Sequence, residues 1–166
     1  DVASGRFDQA EFAADLYEVA SGTADEEYQD PTAFFARTYL TEGLTELLVG
    51  ATRRLTGGGG DPVIELQTNF GGGKTHSLIS LYHLFSGIDI SSLPDEIGEL
   101  VSATGVEEIP PVNRAVVVGN RFAAGEAHEK DDGTVINTIW GEIAYQLGGK
   151  EAFDIVAESD RKRTNP

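Results

Sequence analysis

PVIELQTNFGGGKTHSLISLYHLF, residues Pro62 to Phe85, sets the expectation for the whole chain, because a strand-like run enters a glycine-rich turn that ends in Lys74-Thr75 and opens an amphipathic helix. Three physical effects meet there. Gly71, Gly72 and Gly73 let the backbone turn inward with no side chain in the way, so successive N–H groups can aim at phosphate oxygens. Lys74 brings a mobile positive charge to the β/γ-phosphates, the Thr75 hydroxyl suits Mg²⁺ carried with the nucleotide, and the start of the helix adds its dipole. Before the turn, Val63, Ile64 and Leu66 suit a buried strand; after it, Leu78, Ile79, Leu81, Tyr82 and Phe85 recur at helical spacing until Gly87.

The candidate cofactor-binding residues are therefore Asn69, Phe70, Gly71, Gly72, Gly73, Lys74, Thr75 and His76, with Lys74 and Thr75 in the catalytic roles and ATP with Mg²⁺ as the expected cofactors. One departure stands out. The pattern G-x-x-x-x-G-K-[ST] places its first glycine where this chain has Thr68, a β-branched residue better suited to extended backbone than to a tight turn.

Charge narrows the function classes. Asp and Glu number 28 against 12 Lys and Arg, a formal net charge of −16 in 166 residues, which argues against a general nucleic-acid-binding surface. The one basic cluster, Arg161 to Arg163, reads as a solvated helix surface. Such an acidic balance suits a salt-rich cytoplasm, where screening removes self-repulsion, and a halophilic source is expected. Cysteine is absent, so there is no disulfide framework or thiolate metal site. No apolar run approaches the roughly 20 residues that span a bilayer, and no signal-peptide pattern opens the chain, so a cytoplasmic protein without membrane contact is expected. Methionine is also absent, and the chain reads as a fragment of a longer protein.

Along the chain, Phe12, Leu16, Val19 and Ala20 suggest a short helix. Asp30-Pro31 offers a cap and first-turn proline for a helix through Phe34, Phe35 and Tyr39. Thr41 can cap another carrying Leu44, Leu47, Leu48, Ala51 and Leu55. The glycine run from Gly57 to Gly60 reads as a connector, since no GK[ST] follows it. Pro94 opens a short helix, and Arg114 to Gly119 has the β-branched enrichment of a buried parallel strand. A polar loop over Glu126 to Gly133 leads to a helix with Val135, Ile136, Ile139, Trp140, Ile143, Ala144 and Leu147 on one face, ended by Gly148-Gly149.

Strand, loop, helix, strand, helix predicts an α/β fold: a P-loop NTPase with a partial parallel sheet and flanking helices. Residues 1–60 form a helical N-terminal segment, and 61–166 form the first half of an ATPase domain, cut before the strand whose acid would hold Mg²⁺. The second strand ends in Gly119-Asn120 instead of an acid, and Asp154 lies in a helical pattern. Asn120, beside the loop at a strand end, is the candidate γ-phosphate sensor.

QTNFGGGKTH (Gln67 to His76), TYLTEGLTELL (Thr38 to Leu48) and TIWGEIAYQLGG (Thr138 to Gly149) together resemble the large AAA-type ATPases known as domain of unknown function number four hundred and ninety-nine. The order and spacing of the three blocks match over nearly the whole chain. The resemblance implies that Gly71 to Thr75 are the family's phosphate loop, that His76 is the histidine following it, and that Thr68 belongs to the family's own form of the loop. Members are large proteins often encoded beside DNA methyltransferases and helicases in anti-phage defence loci. This implies the N-terminal part of an AAA-like ATPase module, with homo-oligomer or defence-complex partners and DNA reached only through the rest of the protein. Trp140, Glu142 and Gln146 match a block to which no role is attached.

The other polar candidates read as structural. His76 is expected to pack or cap, Trp140 to join the core, and Glu142 to be solvated. His83 and His128 lack ligand-spaced partners. The preferred reading is an ATPase coupled to DNA-related remodelling. The competing one is a non-hydrolysing nucleotide-binding scaffold or switch that recruits partner proteins. A small kinase needs a lid of arginines over the phosphates, and only Arg114 and Arg121 lie between the two long helical patterns.

Overall fold

In the computed structural model of the chain, residues 14–67, 73–119 and 126–166 are described. Seven α-helices, a 3₁₀ turn and one two-stranded antiparallel ladder account for its regular structure there. The helices are α1 (Leu16–Ser21), α2 (Glu26–Gln29), α3 (Pro31–Ala36), α4 (Glu42–Leu55), α5 (Lys74–Leu84), α6 (Asp95–Ser102) and α7 (Ile139–Lys162); the 3₁₀ turn, Ile90–Ser92, precedes α6. The ladder pairs β1 (His128–Glu129) with β2 (Val135–Ile136), in the register His128 to Ile136 and Glu129 to Val135.

Local chemistry explains where the amino-terminal helices start. The Asp30 carboxylate accepts the Ala33 N–H at 2.7 Å, and Pro31 occupies the first turn of α3. The Thr41 hydroxyl accepts the Leu44 N–H at 3.2 Å to open α4, with Glu42 in the first turn and Arg53 and Arg54 in the last, both favourable to the dipole. α3 stops at Ala36, short of Tyr39, which is exposed. The glycine run after α4 is irregular, and at Gly60 a Cβ would lie 2.8 Å from the Gly50 carbonyl at a φ of +111°, so only glycine lets the chain turn back this closely on the helix.

These helices share one apolar core. Phe34 and Phe35 of α3, Leu44, Leu47 and Leu48 of α4, Ile79 and Leu84 of α5, and Ile97 and Val101 of α6 are all buried in it. The core thus runs across the glycine connector, joining helices on both sides of position 60.

The expected parallel sheet is not there. Val63 to Leu66 and Arg114 to Val118 belong to no regular element, and the only strand pairing among the described residues is the antiparallel β1–β2 ladder. Val63 is 76% exposed. The Val116 N–H and C=O are instead bound by one side chain, donating to Gln146 Oε1 at 2.7 Å and accepting from Gln146 Nε2 at 2.9 Å. β-branched residues favour extended backbone, but a sheet also needs a neighbouring strand within about 5 Å, and propensity supplies only the first condition. The architecture is mainly helical, and the expectation of a parallel-sheet P-loop fold is corrected accordingly.

The carboxy-terminal helix is also corrected at its start. Val135 and Ile136 form β2, and α7 begins at Ile139 behind a Thr138 cap. Gly148-Gly149 end the first helical arm as expected, both outside helical geometry with Gly149 at φ +64°, and a second helical arm then runs to Lys162. Asp160 lies 22 residues beyond Thr138, a distance of about 33 Å along a straight helix, yet the two side chains touch at 2.6 Å. The two arms of α7 therefore fold back on each other as a hairpin around the glycine pair. Trp140, expected in the core, is half exposed and donates its indole N–H to Asn165.

Candidate functional site

Of the candidate cofactor-binding residues, Gly73, Lys74, Thr75 and His76 are described, while Asn69, Phe70, Gly71 and Gly72, like the sensor candidate Asn120, lie outside the described residues. Gly73 takes the N-cap position of α5 in left-handed geometry, φ 75° and ψ 13°, where glycine carries no Cβ penalty. No side chain caps this helix and its first turn contains no acidic residue, despite the chain's excess of carboxylates. The first-turn N–H groups have no acceptor inside the helix, as at any helix start, and the dipole there favours an anion. Thr75 is exposed and Lys74 half-buried. A hydroxyl and an ammonium at such a helix start fit a Mg²⁺-bound phosphate ester chemically.

His76 points the other way. Its Nε2 lies 2.9 Å from the Thr38 hydroxyl, and its ring sits 4.5 Å from that of Phe34, centroid to centroid. Desolvation lowers its pKa. His83, two turns on, donates its Nε2–H to the Tyr28 carbonyl at 2.7 Å and is buried. Burial lowers its pKa most; the Tyr28 bond opposes this, the Arg114 charge adds to it, and Asp30 opposes it. The two histidines lock α5 to α2 and α3, fixing the orientation of the helix that begins at Lys74.

A second polar centre lies further along the same helix. A cavity of about 430 Å³ is lined by Tyr82 of α5, Arg114 and Val116 of the Arg114 to Val118 segment, Lys130 beside β1, and Glu142 and Gln146 of α7. Tyr82 stands eight residues from Lys74, about 12 Å along the helix axis. The Arg114 guanidinium lies 3.9 Å from the centre of the Tyr82 ring and donates to the Tyr82 carbonyl. Lys130 Nζ reaches Glu142 Oε1 at 2.8 Å, and Gln146 Nε2 donates to the same oxygen at 2.7 Å. Glu142 is only 6% exposed, not solvated.

Sequence reasoning missed this centre. Glu142 and Gln146 carry one legible signal, the i,i+4 spacing that puts them on one helix face. Arg114 and Lys130 carry none, because only tertiary packing brings them together. Asp154 pairs with Lys150 at 3.2 Å on the exposed side of α7, where it has no part in either centre.

Among the described residues, no helix is long and apolar enough to cross a membrane. No curated protein and no solved structure matches the chain. The description that does match, over residues 1–166, is the DUF499 N-terminal domain, a span that holds the Gln67 to His76, Thr38 to Leu48 and Thr138 to Gly149 blocks together. A match over the full length places the chain in that family: it is a DUF499 N-terminal domain.

Proposed function

We propose that the segment ending in Lys74-Thr75 binds the phosphates of Mg-ATP, and that this domain is the nucleotide-binding part of a larger ATPase working in the cytoplasm. The observation that carries the reading is the start of α5: a left-handed glycine, no side-chain cap, no acid in the first turn, and Lys-Thr as the first two helical residues. This cradle is local, made of a turn and a helix start, and does not depend on a parallel sheet. Bound Mg²⁺ would neutralise charge on the phosphates. Lys74 neutralises the remainder, Thr75 offers its hydroxyl, and the N–H groups from Gly71 to Thr75 accommodate the phosphate oxygens.

In the whole protein, hydrolysis would drive DNA-related remodelling in a defence complex, as the family resemblance implies. A second reading, in which the nucleotide is a switch without turnover, draws support from Gly119-Asn120, which closes the Val116 to Val118 run without an acid. Equilibrium titration of Mg-ATP in high KCl separates the possibilities in order. Loss of binding in Lys74→Ala supports the loop; full affinity in that variant removes the assignment. Melting temperature rising from low to multimolar KCl fits the salt-rich cytoplasm, and no rise counts against it.

A further inference from the structure

Arg114 is a half-buried cation with no carboxylate partner among the described residues, in a chain where Asp and Glu number 28 against 12 Lys and Arg. Both contacts that hold it are made to Tyr82. It donates to the Tyr82 carbonyl, and its guanidinium carbon lies 3.9 Å from the Tyr82 ring centroid. A guanidinium has five N–H donors, and that carbonyl takes one of them. The fork is thus anchored on α5 with most of its donors unspent, on the lining of a 430 Å³ cavity whose size lies in the range of small-molecule sites.

The other charges on the lining decide what those donors can meet. Lys130 is held by Glu142 at 2.8 Å, with its Nζ 5.3 Å from the Tyr145 ring centroid, so this pair cancels. The charge of Arg114 is what remains on the lining. A planar fork carrying one net charge matches a carboxylate, which is planar, singly charged and taken bidentately. A phosphate monoester at neutral pH brings nearly two charges and meets one. Tyr17, Ala20 and Val116 supply apolar lining that neither cation covers.

We propose that this cavity is a second ligand site, for a small organic monocarboxylate whose carboxylate is held by the Arg114 fork and whose apolar body rests on Tyr17, Ala20 and Val116. Because the fork is fixed by Tyr82 before any ligand arrives, little ordering is left to the binding step. The site needs neither Mg²⁺ nor Lys74, and it stands independently of the phosphate-loop reading.

The test is titration of benzoate into the isotope-labelled 166-residue chain, followed by amide chemical shifts, at the lowest KCl concentration that keeps the chain folded. Expected are saturable shifts at Arg114, Val116 and Gln146 and none at Lys74 and Thr75. Benzamide, the uncharged isostere, should bind about tenfold or more weakly. Arg114→Lys, which keeps the charge and loses the fork, should weaken benzoate by about tenfold, and Lys74→Ala should leave it unchanged. Absence of saturable binding to the folded wild type up to about 20 mM benzoate would overturn the proposal. So would equal affinity for benzamide, shifts centred on Lys74 and Thr75, or inorganic phosphate binding at the same residues more tightly than benzoate. Each of these overturning results is read in the wild type, so no variant has to fold.

Discussion

The amino-terminal helices and the α7 hairpin are held together by opposite means. α1 to α6 meet in a continuous apolar core, with Leu48, Ile79 and Leu84 fully buried. The hairpin is organised around a carboxylate. Asp160 on the second arm accepts the Asn137 and Thr138 backbone N–H groups, the Asn137 side-chain amide and the Thr138 hydroxyl, all between 2.6 and 3.2 Å. It thus braces the residue that caps the first arm, since Thr138 Oγ1 in turn accepts the Gly141 N–H. Non-directional burial tolerates exchange among apolar side chains of similar volume; a hub of directed bonds to one charged group does not.

The largest expected effect lies in the apolar half. Leu48→Ala should cost about 2–5 kcal/mol by lost transfer and an unfilled cavity. Measured by denaturant titration together with amide exchange, it should open α3 to α6 more than α7. Equal acceleration of exchange in both regions would break the comparison and make them one cooperative unit.

Next comes the hub. Asp160→Asn keeps the shape but removes the charge and turns an amide donor on the donors it should receive, at a cost of roughly 2–3 kcal/mol. Gly141→Ala attacks the same hub sterically, because a Cβ there would lie 2.3 Å from Asp160 Oδ1, an atom its hydrogen bonds hold in place. Its cost should be about 1–3 kcal/mol. Both should raise exchange first in α7; a loss confined to α4 would show that the hub is not what holds the hairpin.

Two pH windows sharpen the contrast with smaller effects. Desolvation holds His76 and His83 below the ordinary value of 6.5, so the unfolded chain binds more protons as pH falls through that region. The stability these histidines contribute is complete above 6.5 and declines as pH drops toward their lower folded values. His83→Gln should flatten this slope in a melting series from pH 7.5 to 5. For Asp160, burial raises the pKa, but bonds from Thr138 and Asn137 outweigh it and leave the carboxyl below its usual 3.8. Its contribution is present above 3.8 and is lost only as pH falls further, so α7 should persist through the window in which the histidines weaken α5.

Much of the amino-terminal half was legible in the chain. Asp30-Pro31, Thr41 and Pro94 mark helix starts because caps and first-turn prolines act within three or four residues. The apolar faces of α4 and α5 follow from helical spacing, with Leu44, Leu47, Leu48, Ile79 and Phe85 buried and Leu55 and Leu78 left exposed. Where local signals were ambiguous, reading failed. Val135 and Ile136 continue the apolar period of α7 yet pair as a strand, and nothing local shows that a second helical arm after Gly148-Gly149 folds back on the first.

At the candidate sites the division is similar. The phosphate-loop signal is contiguous in sequence, so Gly73, Lys74 and Thr75 were found together at the start of α5. The cavity around Glu142 also draws on Arg114 and Lys130, from two other segments, and only the i,i+4 step from Glu142 to Gln146 is legible in sequence.

What the sequence determined by itself is family membership, the helix starts of the amino-terminal half, and the lysine-threonine helix opening. Each rests on interactions within a few residues or on the order of whole blocks. Tertiary structure alone decided that the two β-branched runs form no parallel ladder, that α7 doubles back, and that Asp160 and Glu142 are buried hubs and not solvated charges. Pairing and burial are properties of neighbours in space, and a residue's own propensity leaves them open.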